Sequence, residues 1–457
     1  MDHKEAALEY ARSHQKQFLD DLKEFVSIPS VSTELSAKAD MLRAANWVAS
    51  RLEKLGIEKV TIFPTKGHPV VYGEYLKAGK DKPVVLVYGH YDVQPAEPLE
   101  LWHTPAFEPT QIGENLYGRG ASDMKGQITA SLQAIEAIVE TGELPVNVKF
   151  MIEGEEEIGS PNLEEFIKEH AELLSCSFTL NPDTGMIAPD VPTITYGLRG
   201  LAYFELRIYG PAQDLHSGLY GGAVHNPAQV LCELVASMHD DQGRVTLSGF
   251  YDQVLALSPE ERAELARLPM DDQFFLAQTG VSKLYGESGY TAIERVGTRP
   301  TLEVNGLLSG FTGEGSKTVL PSYAMAKISM RLVPNQDPED VHKQLTSYLV
   351  QNAPDTIRWE LTKMAGGRAS ITDLNIPGVK ALSQALEETW GIRPVYRREG
   401  GSVPVTAQIQ EILGAESVLT GFGLPDDNLH SPNEKLHLPT YYRGIEALVR
   451  FFCIMGE

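Results

Sequence analysis

Cysteine is scarce in this 457-residue chain, which contains Cys176, Cys232 and Cys453. The three are far apart and odd in number, and none forms a CxxC pair, so the sequence suggests neither a disulfide framework nor a thiolate zinc site. No run approaches the ~18 consecutive apolar residues that a membrane-spanning helix needs. The charged opening MDHKEAALEYARSHQKQF also lacks the apolar segment of a signal peptide. These absences predict a cytoplasmic protein that stays reduced.

Basic residues are also few, with 39 Lys and Arg against 62 Asp and Glu, which gives a net charge of −23. A field of that sign repels phosphate backbones and anionic lipid, so we expect no nucleic acid and no membrane partner. Most of these acids must lie on the solvated surface, although the excess is compatible with carboxylates collected around bound cations. At this length two domains are expected, because a single core stops growing well before 457 residues.

Several common catalytic signatures are missing. The sequence contains no GxSxG elbow, no P-loop and no HExxH helix. The segment GRGASDMKG begins like a GxGxxG nucleotide loop, but Asp123 takes the place of the third glycine. A carboxylate there would repel a pyrophosphate, so serine-hydrolase and kinase functions have little support.

The order of predicted elements indicates an α/β protein with a second, smaller domain. Up to about residue 199, short apolar strands alternate with amphipathic helices, which favours a mostly parallel sheet with helices on both faces. From 200 to 375 the strands interleave polar and apolar residues, as antiparallel sheets with one wet face do. In SYAMAKISMRLVP the predicted buried positions are Ala324, Ala326, Ile328, Met330 and Leu332. We therefore predict a catalytic domain of residues 1–199 and 376–457 and an inserted α+β domain of residues 200–375, with 245–300 as an elaboration of the insertion.

Polar residues follow the predicted buried strand that runs from Pro83 to Tyr88. His90 and Asp92 come directly after it, and their i, i+2 spacing in extended backbone places both side chains on one side of the chain. The open end of such a strand is where α/β sheets place their chemistry. An imidazole and a carboxylate held there suit a metal ligand and the partner that orients it. Asp123 follows in a glycine-rich turn, just before a helical pattern.

Further candidates occupy comparable places. The acidic run Glu155–Glu157 follows the strand VNVKFMI, Asp183 follows SFTLN, and His430 lies in the polar loop DDNLHSPNE. Each has a plain alternative, because an acidic run is commonly a solvated face and a loop histidine is commonly a surface residue. Together, mixed nitrogen and oxygen ligands at one sheet edge suit Zn²⁺, or Mn²⁺ as the share of carboxylates rises. One carboxylate shared by two ions would make a dinuclear hydrolytic site.

The motifs and their order resemble the carnosinase and cytosolic nonspecific dipeptidase group, within the larger family of glutamate carboxypeptidase-like, aminoacylase and desuccinylase metallohydrolases. The resemblance covers essentially the whole chain. It implies a zinc-peptidase-like catalytic domain and a ferredoxin-like insertion that acts as lid and dimerisation domain. The segments that carry the resemblance are HYDVQPA, GRGASDMKG, EGEEEIGS, NPDTG, DLHSG, REGGSVPVT and LHSPNEKL.

Carried over position by position, the resemblance implies two divalent metal ions per subunit, Zn²⁺ or alternatively Mn²⁺. His90 and Asp183 would hold one ion, Glu157 and His430 the other, and Asp123 would bridge both. The implied reaction is hydrolysis of the peptide bond of a dipeptide.

Two residues of the same motifs would act on the reaction without binding metal. Asp92 would orient His90. Glu156 would be the general base that takes a proton from the attacking water and returns it to the leaving amine, which requires a raised pKa. Glu155 would be a bystander.

The resemblance also implies substrate contacts in the inserted domain and a homodimer formed through it. His216 would reach into the partner subunit's site and stabilise the oxyanion, and Arg331 would take the substrate carboxylate. Asn305, Gly401 and Ser402 are further candidates for substrate contact. Taken without the motifs, His216 fits a loop histidine and Arg331 a solvated strand residue.

Two alternative functions remain open from the sequence. The first is an N-acyl-amino-acid amidohydrolase that uses the same metals on an acyl substrate. The second is a metal-binding or dimeric interaction protein without activity, which the presence of Glu156 disfavours, because turnover needs this residue and metal binding does not.

Overall fold

A computed structural model describes residues 2–401 and 403–457, so the predicted substrate residue Ser402 lies outside the described residues. The chain divides into two compact units. The first unit contains Met1–Tyr196, Thr372–Arg397 and Gln408–Glu457, and the second contains Gly197–Ile371 and Arg398–Ala407. Each unit is described by itself below.

The strands and helices alternate along the first part of the chain, as the sequence predicts. The strands are β1 (Glu58–Phe63), β2 (Val70–Tyr75), β3 (Val84–His90), β4 (Thr110–Ile112), β5 (Asn115–Tyr117), β6 (Asn147–Glu153), β7 (Phe178–Asn181), β8 (Thr193–Leu198), β9 (Gly200–Tyr209), β10 (Leu215–His216), β11 (Thr301–Ser309), β12 (Val319–Leu320), β13 (Tyr323–Leu332), β14 (Arg358–Gly367), β15 (Ser370–Ile371), β16 (Val395–Glu399), β17 (Ser417–Leu419) and β18 (Lys435–His437). The α-helices are α1 (His3–Ser13), α2 (Gln15–Val26), α3 (Lys38–Lys54), α4 (Lys125–Val139), α5 (Leu163–Glu169), α6 (Ala171–Leu174), α7 (Ser217–Tyr220), α8 (Pro227–Ala236), α9 (Pro259–Leu265), α10 (Asp272–Thr279), α11 (Ala292–Thr298), α12 (Pro338–Asn352), α13 (Pro377–Trp390), α14 (Pro404–Leu413) and α15 (Leu438–Gly456).

The first unit is built on a mixed sheet with the strand order β1-β2-β6-β3-β7-β17-β8. The central pairs β6/β3, β3/β7 and β7/β17 are parallel, whereas β1/β2, β2/β6 and β17/β8 are antiparallel. This confirms the α/β class and places the parallel part in the middle of the sheet. The carboxyl ends of β3, β6 and β7 therefore meet at one edge.

Strand β3 is longer than the sequence predicts. The predicted strand ended at Tyr88, but the parallel register with β6 continues through Gly89 and ends where His90 lies opposite Glu153. The chain keeps its extended form there because the neighbouring strand is equally long. His90 is thus the last residue of the strand, and its side chain is fully buried.

Helix α4 is the central helix of this unit and begins two residues after Asp123. Its residues are buried on all sides, including polar ones that must therefore be hydrogen-bonded. Gln133 illustrates this: its amide donates to the carbonyl of Phe18 at 2.8 Å and accepts from the Tyr441 hydroxyl at 2.6 Å. These bonds fix the helix, and with it the turn that carries Asp123.

The second unit contains an antiparallel sheet with the order β11-β13-β9-β14. Strand β13 alternates between buried and partly exposed side chains, and the predicted inward positions are all fully buried: Ala324, Ala326, Ile328, Met330 and Leu332. Helices α8 and α12 pack on this sheet. The predicted α+β character of this part of the chain is therefore confirmed, and residues 245–300 add the short helices α9, α10 and α11.

Among the described residues, no helix combines the length and apolar composition that crossing a membrane requires.

Candidate active site

His90 and Asp92 lie together at the end of β3, as their spacing predicts. Both side chains are fully buried, and His90 Nδ1 lies 3.3 Å from Asp92 Oδ1. The closer contact of Nδ1 is to the backbone carbonyl of Asp92, at 3.0 Å. A ring that donates from Nδ1 to this carbonyl keeps its lone pair on Nε2, so the contact sets which nitrogen of His90 can act as a ligand.

The first group of ligand-type atoms combines His90, Asp123 and Asp183, each offering one atom within 4.8 Å of the others. Nε2 of His90 lies 3.3 Å from Asp123 Oδ1 and 3.9 Å from Asp183 Oδ1. Asp183 follows β7, and its backbone amide donates to Asn181 Oδ1 at 2.9 Å. Three separate segments of the first unit thus supply the first group.

The second group combines Asp123, Glu157 and His430, again with all atoms within 4.8 Å. His430 Nε2 lies 2.9 Å from Asp123 Oδ2 and 3.3 Å from Glu157 Oε2. Asp123 is therefore common to both groups, with one oxygen facing each. All five residues that the sequence nominates as ligands are brought together in one place.

The protonation of these groups reflects their crowding. Burial would lower the pKa of His90, but Asp123, Asp92 and Asp183 outweigh it and raise that pKa well above its ordinary value. Burial and the neighbouring Asp123 raise the pKa of Glu157 to about 8. The hydrogen bond to Asp123, with help from Glu157 and against the effect of burial, raises the pKa of His430 to about 9. Each of these raised pKa values favours the protonated form of its group, and the protons reduce the repulsion between the carboxylates that face one another in the site.

A cation fits this donor set. His90 Nε2 is buried and makes no hydrogen bond within the described part of the chain, although two carboxylates lie close to it. With Nδ1 donating to a carbonyl, the lone pair on Nε2 faces oxygen lone pairs, and a proton or a metal ion between them relieves the repulsion. Imidazole and carboxylate ligands suit Zn²⁺ and Mn²⁺.

Glu156 lies beside the two groups and belongs to neither. Its backbone amide donates to Asp92 Oδ1 at 3.3 Å, and the amide of Glu157 donates to Asp92 Oδ2 at 3.1 Å. Asp92 thus fixes the backbone of both glutamates and also contacts the ring of His90. Burial, together with Asp123 and Asp92, raises the pKa of Glu156. A carboxyl group with a raised pKa next to a cation site has the character of a general base.

Glu155 has a structural function that the sequence does not reveal. Its side chain is buried, and its carboxylate accepts hydrogen bonds from the backbone amide of His68 at 3.1 Å and from the Asn162 side chain at 2.8 and 3.1 Å. It ties the glutamate segment to the distant residue His68 and to Asn162, which directly precedes α5. The partners lie 87 residues before and 7 residues after Glu155, and no local pattern points to the former.

The substrate residues predicted from the resemblance lie in the second unit. Arg331 on β13 and Asn305 on β11 line a common pocket of about 410 Å³, together with Arg199 and Glu303. Burial, together with the neighbouring Arg331, lowers the pKa of Arg199 to about 10. The guanidinium groups of Arg199 and Arg331 suit a carboxylate, whereas Glu303 brings the opposite charge to the same pocket.

The remaining predicted substrate residues occur elsewhere in the second unit. His216 ends β10 and is exposed, and its Nδ1 accepts a hydrogen bond from the Gly218 amide at 3.0 Å, which caps the short helix α7. Gly401 is exposed, and its carbonyl accepts from the Arg199 amide at 3.1 Å.

An α/β unit whose strand ends present two groups of histidine and carboxylate, with one aspartate in common and a further glutamate beside them, has the donor set of a metallohydrolase. The comparison with known families agrees: the profile of peptidase family M20/M25/M40 matches residues 86–453. The chain belongs to this family and is a hydrolase, so the resemblance seen in the motifs is confirmed.

Relatives match along nearly their whole length. The Cys-Gly metallodipeptidase of Schizosaccharomyces pombe is 34% identical over 96% of this chain and 94% of its own. The human Beta-Ala-His dipeptidase is 31% identical over 99% of this chain and 93% of its own. A crystal structure of an M20 family metallo-carboxypeptidase from Sulfolobus solfataricus superimposes with a TM-score of 0.84 at 35% identity, covering 96% of this chain and 99% of that one.

Proposed function

We propose that this protein is a metal-dependent dipeptidase with two divalent cations per subunit, Zn²⁺ or alternatively Mn²⁺. The observation that carries the proposal is the position of Asp123, with one oxygen toward His90 and the other toward His430. In this arrangement His90 and Asp183 hold one cation, and Glu157 and His430 hold the other. The relatives named Cys-Gly metallodipeptidase and Beta-Ala-His dipeptidase support a dipeptide as substrate.

The bound cations would polarise the scissile carbonyl and lower the pKa of the attacking water. Glu156 then takes the proton of that water and gives it to the leaving amine. Its raised pKa makes the carboxylate a stronger acceptor for that proton, and a pKa nearer the operating pH suits a group that must both accept a proton and return it. Asp92 keeps Glu156 in place through the backbone amide and keeps the Nε2 lone pair of His90 turned toward the ligand group.

We place substrate recognition in the second unit. Arg331 binds the terminal carboxylate of the dipeptide, for which a planar guanidinium is well shaped. Asn305, Gly401 and Ser402 provide further polar contacts. His216 stabilises the oxyanion in the partner subunit's site, which requires a homodimer formed through this unit. A cytoplasmic location and the absence of nucleic acid and membrane partners complete the proposal.

The test is a substrate screen by mass spectrometry. A pool of dipeptides, tripeptides and N-acyl amino acids is incubated with protein that has been stripped of metal and then reloaded with Zn²⁺ or Mn²⁺. We expect metal-dependent loss of dipeptides while tripeptides persist. Loss of the acylated compounds alone would establish the amidohydrolase alternative, which the names of the relatives do not favour.

A carboxypeptidase is the second candidate, and the likeness to the Sulfolobus solfataricus metallo-carboxypeptidase favours it. The two activities differ in the length of peptide they accept, since a carboxypeptidase releases the last residue from longer chains. Tri- and tetrapeptides in the same pool separate them: stepwise shortening from the carboxyl end would establish the carboxypeptidase.

A further inference from the structure

Glu434 is fully buried, and its carboxylate is saturated with hydrogen bonds. Oε1 accepts from the backbone amides of Ser122 at 3.0 Å and Asp123 at 3.1 Å. Oε2 accepts from the Gly120 amide at 2.9 Å and from Arg119 Nη1 at 2.7 Å. All four donors belong to residues 119–123, here called the Asp123 turn.

The negative charge of Glu434 complements the N–H donors of this turn. Three backbone amides of the turn converge on one carboxylate. Bonds of N–H groups to an ionised acceptor are about twice as strong as neutral ones. Gly120 has a φ of +83°, which a residue with a side chain rarely adopts. The backbone of the turn is thus shaped around an anion, and the side chain of Glu434 supplies that anion.

Arg119 extends the contact to the segment of residues 427–435, here called the His430 loop. While Nη1 binds Glu434, Nη2 donates to the carbonyls of Pro95 at 3.1 Å and Ser431 at 3.2 Å. Ser431 directly follows His430. The guanidinium therefore holds the backbone next to His430 as well as the carboxylate of Glu434.

A second buried carboxylate holds the other end of the His430 loop. Asp427 Oδ2 accepts from the Ser122 hydroxyl and from the Leu424 amide, both at 2.8 Å. The Lys435 amide donates to the Asp427 carbonyl at 3.0 Å, which closes the loop on itself. Both ends of the His430 loop are therefore fixed to the Asp123 turn.

We propose that Glu434 is a positioning residue that holds the Asp123 turn against the His430 loop and thereby sets the geometry of the second ligand group. The inference rests on the proposed two-cation function and deepens it. Asp123 and His430, two of the three members of the second group, lie on the segments that Glu434 joins. In the first group only Asp123 lies on one of these segments, because His90 ends β3 and Asp183 follows β7. Loss of Glu434 should therefore weaken the second cation more than the first.

The test variant is Glu434→Gln, which keeps the shape of the side chain and turns one acceptor into a donor. Either orientation of the amide places its N–H₂ against two N–H donors, so the turn is no longer bound as before. We expect the second Zn²⁺ to bind about 10–100-fold more weakly, the usual cost of losing a partner that orients metal ligands, and the first to change by less than about threefold. Calorimetric titration of metal-free protein with Zn²⁺ measures both affinities without any substrate.

The matched control is Glu136→Gln. Glu136 is another buried glutamate of the same unit that pairs with an arginine, Arg51, and it touches neither ligand group. Thermal unfolding of the metal-free variants shows how far each change destabilises the fold. With Glu136→Gln, both Zn²⁺ affinities should stay as in the unmodified protein.

A second variant keeps the test decisive if Glu434→Gln does not fold. In Arg119→Lys the ammonium can pair with Glu434 but cannot also span the carbonyls of Pro95 and Ser431. We expect it to weaken the second Zn²⁺ by about threefold to tenfold and to leave the first nearly unchanged.

For whichever of these variants folds, unchanged affinities or an equal loss at both cations would overturn the positioning role. Failure of the proposed function is distinguishable, because the unmodified protein itself would then bind fewer than two cations or, once loaded, hydrolyse no dipeptide.

Discussion

His430 Nε2 lies 2.9 Å from Asp123 Oδ2, although 307 residues separate the two in the chain. The other oxygen of Asp123 faces His90. One carboxylate therefore belongs to two ligand groups, and each group also has its own histidine and its own acidic residue. The proposed pair of cations depends on this shared carboxylate.

Glu156→Gln should remove the proposed general base without removing a proposed ligand. We expect kcat to fall by about 10²–10⁴-fold, the usual contribution of general-base catalysis. The bound metal, counted by elemental analysis, should stay the same. The control variant Glu164→Gln removes the same charge from an exposed position on α5, where Glu164 pairs with Lys168, and should keep most of the activity. A Glu156→Gln protein that loses metal would show instead that the base and ligand glutamates are exchanged.

Cation binding should release protons in a manner that depends on pH. In the metal-free protein the raised pKa values of Glu157, about 8, and His430, about 9, mean that both hold protons at neutral pH. A cation must displace them. Calorimetry in buffers of different ionisation enthalpy should therefore show proton release near pH 7, and the part that comes from Glu157 and His430 should decline as the pH passes 8 and 9. Release that does not vary with pH would contradict these assignments.

The same shifts predict how the stability of the metal-free protein changes with pH. Both groups keep their protons to a higher pH in the folded state than in the unfolded state. Their contribution to the free energy of unfolding is therefore present when the pH is below the pKa that each group has in the unfolded state. It is lost as the pH rises through about 8 for Glu157 and about 9 for His430. Lys125 acts in the opposite direction, since burial lowers its pKa to about 7. Lys125 contributes to the metal-loaded and the metal-free protein alike, so the difference in Tm between them, measured from pH 6 to 9.5, reports on the groups of the cation site and should grow with pH.

Arg331→Lys should weaken recognition of the substrate carboxylate. Hydrogen bonds to a charged group contribute about 1.5–3 kcal/mol, so we expect kcat/KM for a dipeptide to fall by about 10–100-fold. A dipeptide amide, which lacks the carboxylate, should be hydrolysed equally by the variant and the unmodified protein. Arg207→Lys, an exposed arginine paired with Glu205, is the control for a general effect on the second unit. An equal loss on both substrates would place Arg331 outside carboxylate recognition.

Mixing two inactive variants tests whether His216 acts across a dimer. In a heterodimer of His216→Ala and Glu156→Gln subunits, one site has both its own Glu156 and the partner's His216. If His216 acts in the partner's site, the mixture should recover activity after subunit exchange, up to about half that of the unmodified dimer in each heterodimer. No recovery, with exchange verified by native mass spectrometry, would mean that each subunit uses its own His216.

Much of the fold and the ligand set follows from local sequence. Burial of Ala324, Ile328 and Leu332 follows from the alternation of β13, because side chains of a strand point to opposite faces in turn. The grouping of His90 with Asp183 follows from the rule that parallel strands end at one edge of the sheet. These inferences need only one segment and its neighbours in the sheet.

Other features depend on contacts that no local pattern encodes. Glu434 is one acidic residue among many in the sequence, and only the folded chain shows that it accepts bonds from the Asp123 turn 311–315 residues earlier. Glu155 likewise looks like part of a solvated acidic run until its partners His68 and Asn162 are seen. The roles of His216 and Arg331 came from motif resemblance and remain predictions.

The most direct test of the central claim is to count the cations and measure their separation. Protein reloaded with Zn²⁺ should bind two ions per chain, and X-ray absorption should show a metal–metal distance of ~3.5–4 Å, as in two-metal sites bridged by a shared ligand. His430→Ala should retain one ion, whereas Asp123→Ala should weaken both. One ion per chain in the unmodified protein, or two ions without a metal–metal signal, would contradict the shared role of Asp123.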